Sequence, residues 1–551
     1  MSLLLPLVLL WPLLLAGGLL SPWRGYSRAL LPTAPLPGLL AGFQPGLQWE
    51  APWLLLGLQF GVDSIASPLL LLASLLWVLA AIAAGRSMAR DPHRDRFLAL
   101  FLLTMAGNLG VFIGLDAAGF YLAYATMTFA AYGLVIHDGQ AASRRAGRVY
   151  LVLAVLGEGM LVAALLLLAG ALGNPALHGL GPELAQVPHQ AWITGLFLLG
   201  FGIKMGMVPL HLWLPLAHPC APVPASAVLS GVIVKAGLMG WLRFLPLGEE
   251  VAAPLGPWVI AAGLFTAFFA VAVGLAQARA KTVLAYSTVS QMGLLTVLIG
   301  MGLALPGIYW ALAVGAVLLM ALHHGLAKGA LFLAMGADNR ARFWLMLWPA
   351  AALAGLPLTS GALAKKAMKD AAEMAPGLWA EALPLLLSLS SLATALLMAR
   401  LLWLVRPRVD ASDGETARGR APVLALVLAS ALVPWLWAGW QQPGAALAAL
   451  DATAAWDSTW PVLLALGAAA AWWWWSPARW QAVRLPEGDL VALLPGARPL
   501  PQPPVRELPA VPGAAPAGRA LTRLELGLGT LAIAGVLFLG LALGLMVLLL
   551  G

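Results

Sequence analysis

Apolar runs long enough to cross a bilayer follow one another along this chain, separated by short polar or proline-rich links. They lie near 3–20, 65–85, 97–114, 118–136, 149–171, 191–209, 222–245, 257–277, 283–303, 308–336, 343–371, 381–405, 421–441, 459–475 and 526–550. A helix needs about 20 apolar residues to span the hydrocarbon core, whereas barrel strands would alternate apolar and polar positions. The pattern predicts an all-α polytopic membrane protein with about 14–16 transmembrane helices. The spread comes from residues 21–64, where "ALLPTAPLPGLLAGF" reads either as a degraded span or as an interfacial segment. The opening "MSLLLPLVLLWPLLLAGGLL" has no basic stretch ahead of its apolar run and is read as the first span rather than a cleaved signal.

Composition agrees. Of 551 residues, 61% are hydrophobic and 10% are charged, whereas a soluble domain carries about a quarter charged residues. The formal charge of +8 would suggest nucleic acid in a soluble protein, but here it resides in alternate loops. Arg86, Arg90, Arg94 and Arg96 fill one loop; Arg144, Arg145 and Arg148 the next of the set. Arg279 and Lys281, Arg340 and Arg342, then Arg406, Arg408, Arg418 and Arg420 complete it. The intervening loops (172–190, 246–256, 304–307, 442–458) carry no Lys or Arg. The positive-inside rule then places the arginine-rich set in the cytoplasm of a bacterial inner membrane, provided residues 343–371 cross once as an interrupted helix. The single cysteine, Cys220, excludes internal disulfides and cysteine-ligated iron–sulfur or zinc sites. Residues 484–525 read as a Pro-rich cytoplasmic linker and "AWWWWSPARW" (471–480) as an aromatic belt at the interface.

Ionisable residues inside apolar spans are costly and mark ion paths or partners. Here they are Glu158, Lys204, Lys235, His324 with Lys328, Lys365 and Arg400. Lys204 precedes "MGMVPLHLWLP", where Pro209 and Pro215 each remove a backbone donor and must break the helix. Such a break is tolerated at membrane depth only where the freed backbone meets protein or a water-filled cavity. His324 and Lys328, four residues apart, share one helix face and form a proton-passing pair. Pro357 and Gly361 interrupt a second helix, with Lys365 about two turns on. Lys366, Lys369, Asp370 and Glu373 read as a solvated helix end. Two broken helices, each with a lysine, point to an internally repeated transporter. His211 and His218 raise haem or zinc as an alternative, disfavoured because they flank prolines in a short linker.

"KMGMVPLHLWLPLAHPCAPVPASAVLSGVIVKAG" resembles the signature of the antiporter-like subunits of respiratory complex I, a family shared with Mrp-type cation/proton antiporters and membrane-bound hydrogenases. "ARAKTVLAYSTVSQMGLL", "HHGLAKGALFLAMG" and "AGLPLTSGALAKK" resemble its next three blocks in order, so the likeness covers roughly 60–400. It implies two inverted five-helix repeats, each with a broken helix, and a proton path along a line of lysines. Lys204 and Lys365 fall on the broken-helix lysines of the two repeats, Lys235 on the lysine of the following helix, Lys328 on the central lysine with His324 a turn before it. His211, His218, His323 and Arg400 are secondary positions. Two departures stand out. Ala125 occupies the place of a glutamate that pairs with the first-repeat lysine, and Glu158 is the candidate substitute. Arg279 stands where the family carries aspartate.

The resulting expectation is N-terminal helices over 1–96, repeats over 97–245 and 246–405, C-terminal helices over 406–483, the linker, and a last span over 526–551. The function it implies is translocation of protons, or sodium, within a multi-subunit assembly. No cofactor is expected, because no nucleotide, flavin, quinone-specific or metal motif is visible. The driving reaction would come from partner membrane subunits and a soluble redox or uptake module, with no role for nucleic acid. Two alternatives stand beside this: coupling of bicarbonate or carbon dioxide uptake, and a non-conducting structural subunit.

Overall fold

The computed structural model describes residues 3–54, 57–173, 175–407 and 420–475. The expected linker and last span, at 484–551, lie outside the described residues, as does the end of the aromatic stretch. The protein is an all-α polytopic membrane protein. In hydrocarbon every backbone polar group must be satisfied inside its own segment, and helices achieve this. Among the described residues, ten helices are long and apolar enough to cross a membrane. In chain order the principal helices are α1 (Leu4–Leu19), α2 (Ala66–Ser87), α3 (Arg94–Ile113), α4 (Ala117–Val135), α5 (Ala141–Leu172) and α6 (Gln190–Met205). Then come α7 (Trp213–Cys220), α8 (Val223–Phe244), α9 (Gly256–Leu275), α10 (Ala280–Ala304) and α11 (Gly307–Ala334). The series ends with α12 (Asn339–Ala354), α13 (Ser360–Ala372), α14 (Leu378–Leu404), α15 (Arg420–Gln441) and α16 (Ala452–Trp475). The expected segment at 343–371 is divided by a break, and that at 191–209 ends in one, beyond which α7 begins.

The ambiguous N-terminal region is neither of the two simple forms the sequence allows. A 3-10 turn (Leu31–Thr33) and a short helix (Leu36–Gly42) run antiparallel to α2. Leu31 lies against Gly85 near the end of α2, and Gly42 lies against Leu71 near its start. Prolines 32, 35 and 37 prevent a continuous helix here, and Ser67 Oγ satisfies the Gly42 carbonyl at 2.7 Å. An antiparallel hairpin follows, β1 (Gln48–Ala51) with β2 (Leu58–Gly61), Gln48 opposite Gly61. Asp116 ties it down: one carboxylate oxygen accepts from Gln59 N at 2.8 Å, and the other caps α4 by accepting from Gly119 N at 2.7 Å.

Burial is concentrated on α10, every residue of whose apolar window is buried inside the protein, against a third for α15. Small residues let α9 approach it: a Cβ on Gly263 would stand 2.7 Å from the Gly293 carbonyl oxygen. Helix α10 nevertheless carries Ser287, Thr288, Gln291 and Thr296, all buried. These polar side chains face protein, not lipid, and the candidate site is built beside them.

Candidate ion-translocation site

Both helix breaks share a local design. Helix α6 ends at Gly206 (φ +75°) and α12 at Gly355 (φ +90°), left-handed caps that a residue with a Cβ adopts only under strain. A proline follows each, Pro209 and Pro357, so neither helix resumes at once. Leu358 itself adopts φ +63°, an uncommon conformation for a branched residue and a mark of an over-determined backbone. The breaks free carbonyls at membrane depth. One of them, Ala354 O, accepts from Lys365 Nζ at 2.9 Å.

Lys204 is the last charged residue before the first break and is 5% exposed. Its ammonium donates to Thr128 Oγ1 at 2.9 Å and lies over the rings of Tyr124 and Tyr150, 5.3 and 5.5 Å from their centroids. Glu158, on α5, lines the same small cavity with these residues, and both its carboxylate oxygens are buried without a hydrogen-bond donor among the described residues. The cavity has space of ≈ 10 Å³, enough for one water. Lys204 and Glu158 line this cavity together without a direct ion pair among the described residues, and Thr128 lines it with them. Ala125, a turn before Thr128 on α4, is half-buried and is not among the cavity residues.

Lys235 is fully buried on α8, immediately after a π-helical stretch, Leu229–Ile233. Widening of the helix there presents the Ser230 carbonyl to Lys235 Nζ at 3.0 Å. The same nitrogen is 2.6 Å from His324 Nδ1 on α11. Lys204 and Lys235 sit on adjacent helices: a Cβ at Gly237 would meet Lys204 Cβ at 3.2 Å and Phe201 O at 2.7 Å. One turn beyond His324, Lys328 Nζ donates to Leu284 O at 2.9 Å and to Ser287 Oγ on α10. His323 Nδ1 meets Ser360 Oγ, at the start of α13, at 3.0 Å. The structure thus brings Lys235, His324, His323 and Lys328 together on α11 and its neighbours, with Lys204 at one end and Lys365 at the other.

The secondary residues divide. His323 belongs to the row. His211 lies in the first break with its ring edge-on to Phe269, 5.6 Å between centroids. His218 is not in a linker, as its flanking prolines suggest, but inside the short helix α7, stacked on Phe332 at 4.5 Å. The two rings therefore pack against different helices, α9 and α11. Arg400 is outside the row: it donates to Gln277 O at 2.9 Å and lies over Trp403, tying the end of α14 to the link before α10.

Sequence reasoning found the charges and missed their uncharged partners: Thr128, Tyr150, Ser230, Ser287 and Ser360. For Ser287 the available signal was the polar content of "TVLAYSTVSQMGLLT" (282–296) inside an apolar run, which marks a helix buried on all sides. Sequence reasoning also missed Asp63, which pairs with Arg243 across 180 residues of sequence while accepting from Ala66 N to cap α2.

Residues 115–374 match the family described as NADH:quinone oxidoreductase/Mrp antiporter, transmembrane. The chain is 32% identical to NADH-quinone oxidoreductase subunit N of Desulforudis audaxviator over 303 residues, 52% of this chain and 57% of that protein. It is 28% identical to an Na(+)/H(+) antiporter subunit of Alkalihalophilus pseudofirmus over 343 residues, 58% of this chain and 67% of that protein. The chain spans about half the length of the first curated relatives it matches. Its fold is similar to that of the Mrp complex from a Dietzia species, with a TM-score of 0.73 and 21% identity over 95% of this chain and 59% of that one. Over the matched residues, then, the chain is similar to the antiporter-like membrane subunits of complex I and Mrp antiporters and to a component of hydrogenase-4.

Proposed function

We propose that this chain translocates protons across the membrane along the row Lys204, Lys235, His324, Lys328, His323 and Lys365, as one subunit of a larger assembly. The observation that carries the reading is the 2.6 Å approach of Lys235 Nζ to His324 Nδ1 in a fully buried setting. A buried amine and imidazole at that distance hold one proton between them. The hydroxyls of Thr128, Ser287 and Ser360 extend the contact in both directions. Glu158 supplies the negative charge facing Lys204 that the family places at the position of Ala125. A proton is favoured over sodium because the row consists of nitrogen bases and not of the oxygen ligands that hard cations select.

The driving reaction is supplied by neighbouring subunits: other antiporter-like membrane chains and a soluble redox or uptake module. The arginine-rich loops face the cytoplasm of a bacterial cell membrane. The positive-inside rule carries that orientation, and the ion pair Arg420–Asp338 joins two of the arginine-rich loops.

The test is Lys204→Ala and Lys235→Ala in the intact complex, with proton movement followed by a pH-sensitive dye in sodium-free vesicles. Loss of proton movement with assembly retained is expected. Full activity in both variants rejects the row, and activity that reappears only on adding sodium reassigns the ion.

A further inference from the structure

A cavity of ≈ 410 Å³ opens beside Lys365, at the end of the row. Its walls include Lys365, Lys369, Ser388, Ser391, Thr453 and Asp457, from α13, α14 and α16. Lys365 ends the row, yet the polar surface continues. Ser388, Ser391 and Thr394 recur every three residues on α14, so they lie on one face and lead inward from the cavity. All three are buried, Thr394 almost completely.

The hydroxyls alone have a simple explanation, since each donates back to a carbonyl of its own helix: Ser388 to Pro384 O, Ser391 to Leu387 O, Thr394 to Ser390 O. Gln291 does not fit that account. It is fully buried on α10, and its Nε2 donates to Thr394 Oγ1 at 3.1 Å. Its carbonyl oxygen, with two lone pairs, meets no protein donor among the described residues. Leaving such an acceptor dry in a low-dielectric interior is costly, and water is the ordinary remedy where several polar atoms converge. One turn before Gln291 on the same helix is Ser287, which accepts from Lys328.

We propose that the cavity continues as a file of buried water along the seam between α10 and α14, past Ser391 and Thr394 to Gln291. This gives the central Lys328 its own aqueous connection to the arginine-poor face, separate from that through His323, Ser360 and Lys365. The inference rests on the ion-translocating reading for its purpose, but the water file is testable without transport. Gln291 positions the inner end of the file and carries no proton itself.

The experiment uses the full chain in membrane vesicles, with Cys220→Ser as background and silver ion as a small probe that reaches thiols only through water. Ser388→Cys, Ser391→Cys and Thr394→Cys are compared with Leu397→Cys, a turn further along α14 and fully buried among apolar groups. Each thiol's protection by silver against later alkylation is read by mass spectrometry. Protection at 388, 391 and 394, absence of protection at 397, and slower protection at 394 when Gln291→Leu is added are expected. A thiol at 394 as unreactive as that at 397 overturns the proposal, whether or not position 388 reacts. Proton movement unaffected by Lys204→Ala would reject the translocating role and leave the labelling result standing. A silent Thr394→Cys together with an inactive Lys204→Ala rejects the water file alone.

Discussion

Lys235 Nζ and His324 Nδ1 lie 2.6 Å apart, on helices α8 and α11, with both side chains sealed from solvent. The π-helical turn before Lys235 supplies a second acceptor for that ammonium, Ser230 O at 3.0 Å. A buried ammonium that loses a hydrogen-bond partner costs about 1–3 kcal/mol. His324→Leu should therefore lower both the melting temperature of the detergent-purified protein and its ion-coupled rate. His324→Gln keeps an acceptor beside Lys235 and should recover the melting temperature but not the rate. Equal recovery of both would show that the imidazole is only a packing group.

Glu158 and Lys204 are the second pair, lining one small cavity with Thr128. Glu158→Gln keeps the shape of the cavity and removes its negative charge, so assembly should be normal and ion movement reduced. Ala125 is half-buried one helical turn from Thr128. Ala125→Glu placed in the Glu158→Gln protein should restore part of the rate, because a carboxylate on that turn again faces Lys204. Proton-flux measurements on the two variants test this, and an undiminished rate in Glu158→Gln would sink the assignment.

Asp63, outside the spans, joins three elements. Burial by itself would raise its carboxyl, but the charge and hydrogen bonding of Arg243, helped by the Ala66 amide and His178, outweigh it and hold it below the ordinary carboxylate range. A group so depressed contributes stability above its unfolded value, about 3.9, and loses it as pH falls through the folded value. The contribution is therefore constant across neutral pH and disappears only under strong acid. Asp63→Asn should cost about 3 kcal/mol at pH 7, because Arg243 is left buried without its counter-charge. The difference in melting temperature between the two proteins should shrink as the pH is taken below about 4.

Gly361 has no room for a side chain. A Cβ there would overlap Ala352 O and stand 3.0 Å from His323 Cε1, and the first of these is backbone that cannot turn aside. Gly361→Ala should force α12 and α13 apart at the second break, at a cost of about 3 kcal/mol or more. Gly439 is the matched control: a Cβ added there would meet nothing within 4 Å, so Gly439→Ala should leave thermal stability unchanged.

The spans were legible because each is a one-dimensional fact: about 20 apolar residues in a row have few other places to go. Both breaks were legible for a related reason, since Pro209 and Pro357 remove donors whatever surrounds them. Residues 29–43 were not, because three prolines forbid a continuous helix but do not say where the resulting short pieces lie. Packing against α2, from Gly85 to Leu71, settled that. The row's lysines and histidines were found as charges in apolar runs. Ser230, Ser287, Thr128 and Gln291 were not singled out, because a serine, threonine or glutamine in a helix has many ways to satisfy itself and only its neighbours select one.

The sequence by itself determined the membrane class, the positions of the helices, the two broken elements and the residues that carry charge into the bilayer. These follow from hydropathy and backbone chemistry within single segments. Only the tertiary structure decided that Lys235 meets His324, that Lys204 and Thr128 share a cavity with Glu158, and that Asp63 holds Arg243. Such pairs join residues 30 to 180 positions apart. Their partners are set by which helix faces meet, a property of the packed bundle that no single segment contains.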